Sequence, residues 1–240
     1  MKTIGARFFD KKMKMRTDLK IVISGYGKMG KMVEKELKDK AIECAGITED
    51  IESFDKSLSK ECVCIDFTTP DSFKKNYRFL AENFKAVVVG TTGWYDIKEE
   101  IFGYFEKCGT PMIWASNYSV GVNLMTAAVE MVSAKFGKIG GYSPYIIEKH
   151  HIHKIDAPSG TAKTLAKAIE TGFPGKTEVL SLRVGEIPGI HTVCFEGKSE
   201  RLTIEHEAFS RQGFAEGAVA AALMTQGLAG VYEFKDLFLK

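Results

Sequence analysis

Fourteen residues near the middle of the chain hold most of what could move a proton. They read Glu148-Lys149-His150-His151-Ile152-His153-Lys154-Ile155-Asp156-Ala157-Pro158-Ser159-Gly160-Thr161. Three of the chain's five histidines and one lysine fall within five residues here. Imidazole changes charge near neutral pH, so such a run suits general acid–base work. Ser159 is expected to cap a helix. The amides of Gly160 and Thr161 would then stand in the first helical turn, where backbone N–H groups and the helix dipole favour a carboxylate. Lys154 adds positive charge. A cationic, proton-donating loop facing an anion site suits a small dicarboxylate. Closely spaced histidines also bind zinc. The chain has no His-Glu-x-x-His run, no paired Cys-x-x-Cys and no obvious third ligand, so no metal is expected. A surface histidine cluster without a role is the remaining reading.

A second cluster lies near the start. Gly25-Tyr26-Gly27-Lys28-Met29-Gly30 fits the G-x-G-x-x-G pattern, follows an apolar run and opens a helical one. Gly25 would permit a tight turn, Gly27 would let backbone approach a pyrophosphate, and Gly30 would allow close helix–strand packing. The N-terminus of the helix that follows would offer backbone N–H groups and a positive dipole end to the phosphates. About 20 residues on comes Glu49, where an acid that binds ribose hydroxyls is expected; a solvated loop carboxylate is the plainer reading. Gly90-Thr91-Thr92-Gly93 and Ala115-Ser116-Asn117-Tyr118 follow two further strand-like runs. Their small and hydroxyl-bearing residues would admit a flat cofactor ring, although the same residues also favour ordinary turns.

The elements that must position these residues alternate from Leu19 onward. LKIVIS, AIECAGI, CVCIDF, KAVVVG and PMIWAS read as strands. KMVEKELKDK, with Met32, Val33 and Leu37 along one side, reads as a helix, as do Asp71 to Asn83 and Asp96 to Lys107. Strands apolar throughout, each followed by a helix, predict a parallel sheet covered on both faces. After Asn117 the rhythm changes. Val120 to Phe136 reads as a long helix, SPYIIEKHH as a strand and Ser159 to Glu170 as a helix. VLSLRVG, HTVCFEG and RLTIEHEA then follow without clear helices between them. That predicts a second, mixed α+β domain with an antiparallel part. Phe214 to Leu228 returns to an Ala-rich helical pattern. The change of rhythm thus divides the chain after Asn117 into a parallel-sheet part and a mixed part. Residues 1–18 read as a disordered extension without the apolar core of a secretory signal.

The 240 residues carry 33 basic and 31 acidic side chains, a near-balance that gives no reason to expect nucleic-acid or membrane binding. No apolar run approaches the roughly 18 residues that span a bilayer. Five cysteines without framework spacing point to reduced thiols in the cytoplasm. Cys62 and Cys64 alternate within an apolar strand, which favours burial in the core over metal binding.

The run from Glu148 to Ala162 resembles the signature of 4-hydroxy-tetrahydrodipicolinate reductases, E-x-H-H-x-x-K-x-D-A-P-S-G-T-A, at every fixed position. The resemblance extends over nearly the whole chain beyond Leu19. It takes in IDFTTP, VVVGTTGW, ASNYSVGVN, RVGEIPGIHTVCFEG and FSRQGFAEGAVAAA. It implies a two-domain homotetramer, with a Rossmann-type dinucleotide-binding domain over 19–117 plus 214–240 and a substrate-binding domain over 118–213. The tetramer would assemble through sheets of that middle domain and reduce a cyclic dicarboxylate with NADH or NADPH. By motif position it implies His150 as the acid/base residue and Lys154 as proton donor. His151, Lys154, Gly160 and Thr161 would contact substrate. Gly25 to Gly30, Glu49, Gly90, Thr91, Thr92 and Ala115, Ser116, Asn117 and Tyr118 would contact cofactor. Two alternatives stand beside it. One is another Rossmann-type reductase of a small carboxylated substrate; the other is a non-catalytic nicotinamide-binding sensor, which would have no need of a proton donor.

Overall fold

The computed structural model describes residues 19–237; the extension expected over 1–18 lies outside them. The first half runs β1 (Lys20–Ser24), α1 (Lys28–Asp39), β2 (Glu43–Thr48), α2 (Lys56–Ser59), β3 (Cys62–Asp66), α3 (Pro70–Asn83), β4 (Ala86–Val89), α4 (Lys98–Cys108) and β5 (Met112–Trp114). The second runs α5 (Val120–Ile139), β6 (Ser143–His150), α6 (Gly160–Glu170), β7 (Glu178–Arg183), β8 (Gly189–Glu196), β9 (Arg201–Ala208), α7 (Gln212–Met224) and β10 (Val231–Glu233). Two compact units result. Among the described residues, one comprises 19–118 together with 212–237; the other is Ser119–Arg211. Tyr118, Gln212 and Gly213, expected in the second, go with the first. Tyr118 is buried with its hydroxyl 3.0 Å from the carbonyls of Val89 and Ile113, and α7 starts two residues earlier than its Ala-rich pattern suggests.

The first unit is a six-stranded, wholly parallel sheet in the order β10-β5-β4-β3-β1-β2. Ile21, Val22, Ile23, Val63, Cys64, Ile65, Val87, Val88 and Val89 are all buried, as expected of strands covered on both faces. Cys62 and Cys64 are core residues. Thr69 caps α3 by accepting from the Ser72 amide at 3.2 Å, and Pro70 occupies the first turn, where a missing N–H costs nothing. α4 stops at Gly109, whose left-handed φ of +69° suits glycine. Because every strand is parallel, the loops after β1, β2, β3, β4 and β5 share one edge of the sheet. The chain turns to opposite sides from β1, and such a switch point is where open α/β sheets bind ligands.

The sequence pattern missed β10. The expected helix to Leu228 ends at Met224, and Val231, Tyr232 and Glu233 pair with Met112, Ile113 and Trp114 at the sheet edge. Three residues are too few to show a period.

The second unit is a four-stranded mixed sheet, β7-β6-β8-β9. β8 is antiparallel to β6 and β9 to β8, the antiparallel part that was expected, and β7 runs parallel to β6. The segment β6–α6–β7 is therefore a βαβ crossover. One face packs Ile146, Val193 and Phe195 against Met125 and Val129 of α5 and Leu165 and Ile169 of α6. Leu180 and Leu182 point to the other face and are 57% and 41% exposed.

Candidate active site

The βαβ crossover explains why the histidine-rich run forms a site. In such a unit the loop leaving the first strand lies beside the carboxyl end of the second, and the connecting helix starts there. β6 alternates, so Ile146, Glu148 and His150 share the helix-covered face and are buried. Register then brings partners from both neighbours. Ser181 of β7 and His191 of β8 lie opposite Glu148, and Arg183 lies opposite His150.

Glu148 has no exposed surface and sits at the hub. Its Oε1 accepts from the Ser159 amide at 3.0 Å, the Ser181 hydroxyl at 2.6 Å and Arg183 Nη2 at 3.0 Å. Its Oε2 faces His150 Nδ1 at 3.4 Å and His191 Nε2 at 3.7 Å, and makes no hydrogen bond among the described residues. His191 Nε2 lies 3.1 Å from the Ser159 hydroxyl. Arg183 reaches on into the loop, where its Nε donates to the Lys154 carbonyl at 3.2 Å and its Nη2 to that of Asp156. The Lys154 ammonium pairs with Asp156 at 2.7 Å.

Burial pushes the Glu148 carboxyl up, but hydrogen bonds from Ser159, Ser181 and Arg183 outweigh it and hold the pKa at about 2. Burial lowers His150; Glu148 opposes this, while Lys154 and Arg183 reinforce it. Burial, with His150 next, takes His191 to about 4. Both imidazoles are therefore neutral at pH 7 in the free site. Glu148, His150 and His191 bring ligand atoms within 4.8 Å of one another, a spacing that a cation could bridge. Arg183 already supplies the counter-charge for this carboxylate, which favours a hydrogen-bonded cluster over an ion site.

α6 begins as expected. Ser159 caps it by accepting from the Ala162 amide at 3.2 Å. A Cβ added at Gly160 would meet nothing within 4 Å, so no neighbour in the fold demands glycine there. Thr161 and His151 are half-buried, while His153 is exposed beside Glu186 at 3.6 Å.

At the switch-point edge of the parallel sheet, the three loop glycines differ. A Cβ on Gly25 would lie 2.5 Å from the Phe67 carbonyl oxygen, and its φ is +89°; one on Gly30 would lie 2.2 Å from the Gly25 oxygen. Both must be glycine for the turn to close. Gly27, with φ −73°, has nothing within 4 Å of its missing Cβ. It also caps α1 without a side-chain bond, so the first-turn amides face outward for an anion. The Gly25 amide donates to the Thr48 carbonyl at 2.9 Å, which holds the exposed Glu49 beside the turn. These features fit a dinucleotide's pyrophosphate and ribose.

Asp66 was not foreseen. Buried at the end of β3, it accepts from Ser24 at 2.9 Å, Thr91 at 2.5 Å and the Thr68 hydroxyl at 3.0 Å, joining the loops of β1, β3 and β4. The Thr91 hydroxyl is thus turned inward, and its backbone is also engaged, the amide donating to the Asp66 carbonyl at 3.3 Å and the carbonyl accepting from Trp94 Nε1 at 2.7 Å. The Tyr118 side chain is likewise turned into the sheet, and Ala115 is buried. Thr92 and Ser116 are exposed, and Gly90 and Asn117 half-buried. A Cβ on Gly90 would strike the Phe67 ring at 2.1 Å.

A Rossmann-type parallel sheet with this glycine turn, in one chain with a buried Glu–His cluster beside a cationic loop, defines the class: a nicotinamide-dependent oxidoreductase. Comparison with known proteins narrows it. Residues 19–118 match the family model for the N-terminus of dihydrodipicolinate reductase, and 121–238 match that for its C-terminus. A 4-hydroxy-tetrahydrodipicolinate reductase of Christiangramia forsetii is 33% identical over 232 residues, covering 91% of this chain and 97% of that one. One from Xanthomonas euvesicatoria is 40% identical over 178 residues, covering 74% and 73%. A dipicolinate-bound dihydrodipicolinate reductase from Paenisporosarcina superposes with a TM-score of 0.76 at 22% identity, covering 91% of this chain and 98% of that one. An engineered D-amino acid dehydrogenase bound to NADP+ shares the fold more loosely, with a TM-score of 0.57 at 14% identity. The chain belongs to the dihydrodipicolinate reductase family, whose members are oxidoreductases of lysine and diaminopimelate biosynthesis.

Proposed function

We propose that this chain reduces 4-hydroxy-tetrahydrodipicolinate at the loop between β6 and α6, with His150 as acid/base residue and Lys154 as proton donor. The observation that carries the reading is the seating of His150 and Lys154 at the carboxyl end of β6, directly before a capped helix N-terminus whose Gly160 leaves open space. A reduced nicotinamide, when bound, supplies hydride. The substrate loses its 4-hydroxyl as water and gains one hydride and one proton. Lys154 and the amides of Gly160 and Thr161 hold its carboxylates, with His151 at their side. The dianion favours the charged form of His150, which opposes the effect of burial and readies the ring to donate. The dipicolinate bound to the Paenisporosarcina enzyme is a flat dicarboxylate of the kind this site suits. Turnover of NADH with freshly made substrate tests the reading; tight nicotinamide binding without turnover would instead mark a sensor.

The cofactor contacts are assigned to Gly25 through Gly30, Glu49, the loop of Gly90, Thr91 and Thr92, and the 115–118 loop. Glu49 is followed by Asp50, also exposed. Two carboxylates would repel a 2′-phosphate, though solvent screens them. Lys31 lies over the Tyr26 ring at 5.6 Å, and Lys28 flanks the turn; both offset part of the repulsion. A modest preference for NADH, or dual use, is expected. Asp50→Arg should move the NADPH/NADH ratio of kcat/KM upward by about tenfold, an energy of about 1.4 kcal/mol. A strong wild-type preference for NADPH would show that the lysines prevail.

The same reading makes the protein a cytoplasmic homotetramer. Leu180 and Leu182 on the open sheet face, and β7 and β9 as edge strands, are surfaces that assembly would cover. The five cysteines are unpaired, in keeping with a reducing compartment. No helix among the described residues is long and apolar enough to cross a membrane. Light scattering at micromolar concentration should give four times the monomer mass, and Leu182→Asp should lower it. A wild-type monomer would remove this part of the reading.

A further inference from the structure

Glu148 has no place in the proposed chemistry, yet it is the most enclosed charge in the site. We infer that Glu148 is the positioning residue of the reaction: one oxygen fixes the tautomer and orientation of His150, and the other fixes the helix end and the Lys154 loop that receive the substrate. The inference rests on the reading of His150 as the acid/base residue. Its two halves come from the two oxygens. Oε1 is saturated by the Ser159 amide, the Ser181 hydroxyl and Arg183, so it anchors the first residue before α6. Through Arg183, which also binds the carbonyls of Lys154 and Asp156, it anchors the loop. Oε2 is left without a hydrogen bond, fully buried, and aimed between two imidazole nitrogens at 3.4 and 3.7 Å. Nδ1 of His150 likewise makes no hydrogen bond among the described residues, so this carboxylate oxygen, which can only accept, is the group placed to draw the proton to Nδ1 and leave Nε2 for exchange with the substrate. The far edge of the ring is kept open by Gly189, where an added Cβ would stand 3.1 Å from Nε2.

Five charged or titratable groups face His150. Glu148 lies on its own strand, Arg183 on β7, His191 on β8, and Lys154 and Asp156 in the loop. Glu148 and Asp156 favour the charged imidazole, while Lys154 and Arg183 disfavour it. His191 is edge-on, with ring centroids 5.0 Å apart, and is neutral at working pH. Removing the charge of Glu148 therefore leaves the cations in excess and lowers the pKa of His150. A glutamine there also places an NH2 group against Nδ1, or an amide oxygen that has lost its charge. The first forces the proton onto the wrong ring nitrogen.

Glu148→Gln in the full chain should lower kcat by about 10²-fold or more, the scale of a misplaced general acid. Substrate KM should change less, and NADH binding should stay as in wild type. The alkaline limb of the pH–kcat profile should move to lower pH, because Glu148 is what favours the charged imidazole. His150→Gln is the reference. If Glu148 acts through His150, the double variant should be no slower than His150→Gln alone. Losses that multiply, or a limb that stays in place, would reduce Glu148 to a structural residue and overturn the inference. Normal turnover in His150→Gln would instead remove the reading beneath it, so the two failures are distinct. Arg183 loses its charged partner in Glu148→Gln, a change that destabilises a buried pair. Should that variant fail to fold, Glu148→Asp carries the test. It keeps the charge, so the limb should stay near its wild-type position while kcat falls about tenfold or more from the lost contact with Nδ1. Wild-type kcat in that variant would also overturn the inference.

Discussion

His150→Gln should reduce kcat by about 10²- to 10⁴-fold, and Lys154→Ala by a similar factor, the usual range for loss of a general acid. The two side chains differ in environment, and that shapes what each loss should look like. His150 is 6% exposed on β6, held against Glu148 and His191, and belongs to none of the cofactor loops. Its removal should act on the proton step and leave substrate affinity nearly unchanged. Lys154 is on the loop, paired with Asp156 and braced through its carbonyl by Arg183. It would hold a substrate carboxylate as well as donate, so Lys154→Ala should raise KM together with the fall in kcat. Equilibrium binding of NADH, followed by fluorescence, should be unaltered in both. Turnover within about threefold of wild type in either variant, far short of a general acid's share, would withdraw that residue's role.

Gly30→Ala should be the most damaging single methyl group in the glycine turn. The new Cβ would stand 2.2 Å from the Gly25 carbonyl oxygen, a backbone atom that cannot swing aside. Overpacking of this kind costs about 1–3 kcal/mol and sometimes more, and the turn itself would have to open. A melting temperature lower by roughly 5–10 °C is expected, at about 2–4 °C per kcal/mol for a chain of this size. Gly27→Ala makes the opposite prediction. Its Cβ would meet nothing within 4 Å and its backbone is extended, so stability should stay within about 0.5 kcal/mol of wild type. NADH affinity should nevertheless fall by about tenfold or more, because the methyl would occupy the approach of the pyrophosphate. Equal effects on stability and binding in the two variants would contradict the reading of this turn.

The parallel sheet could be read from the chain because its signal is redundant. Ile21 to Ile23, Val63 to Ile65 and Val87 to Val89 are continuous apolar runs, each closed by a turn residue and followed by a helical period. The glycine turn was legible for the same reason, since Gly25 and Gly30 answer to steric demands that leave glycine alone. What escaped depends on pairing between distant segments. Arg183 and His191 look like ordinary residues of β-rich runs. Only the register, with β7 parallel and β8 antiparallel to β6, sets them around Glu148 and His150. The direction of β7 could not be read, because a strand-like run does not show its partner; α6 turns the first pair into a crossover within the mixed domain that was expected. Glu148 itself stood in the motif, but an acid two residues before a histidine has no evident partner until burial is known. Asp66 closes an apolar strand and reads as a turn residue; its three hydroxyl donors come from the end of β1 and from the loops after β3 and β4. The Tyr118 and Thr91 side chains, expected at the cofactor, are spent on the fold instead, through carbonyls of β4 and β5 and through Asp66.

The central claim is that the start of α6, with His150 and Lys154 before it, is where a dicarboxylate is reduced. Steady-state NADH oxidation with 4-hydroxy-tetrahydrodipicolinate, in the presence of increasing pyridine-2,6-dicarboxylate, tests it most directly when wild type is compared with Gly160→Ala. A Cβ at Gly160 meets nothing in the fold, so the variant should melt with wild type while its added methyl weakens both substrate and inhibitor by about tenfold. Competitive inhibition in wild type, weakened in parallel with substrate KM in the variant, is the expected result. Turnover that the dicarboxylate does not inhibit at millimolar concentration, or a variant that binds both ligands as wild type does, would contradict the account.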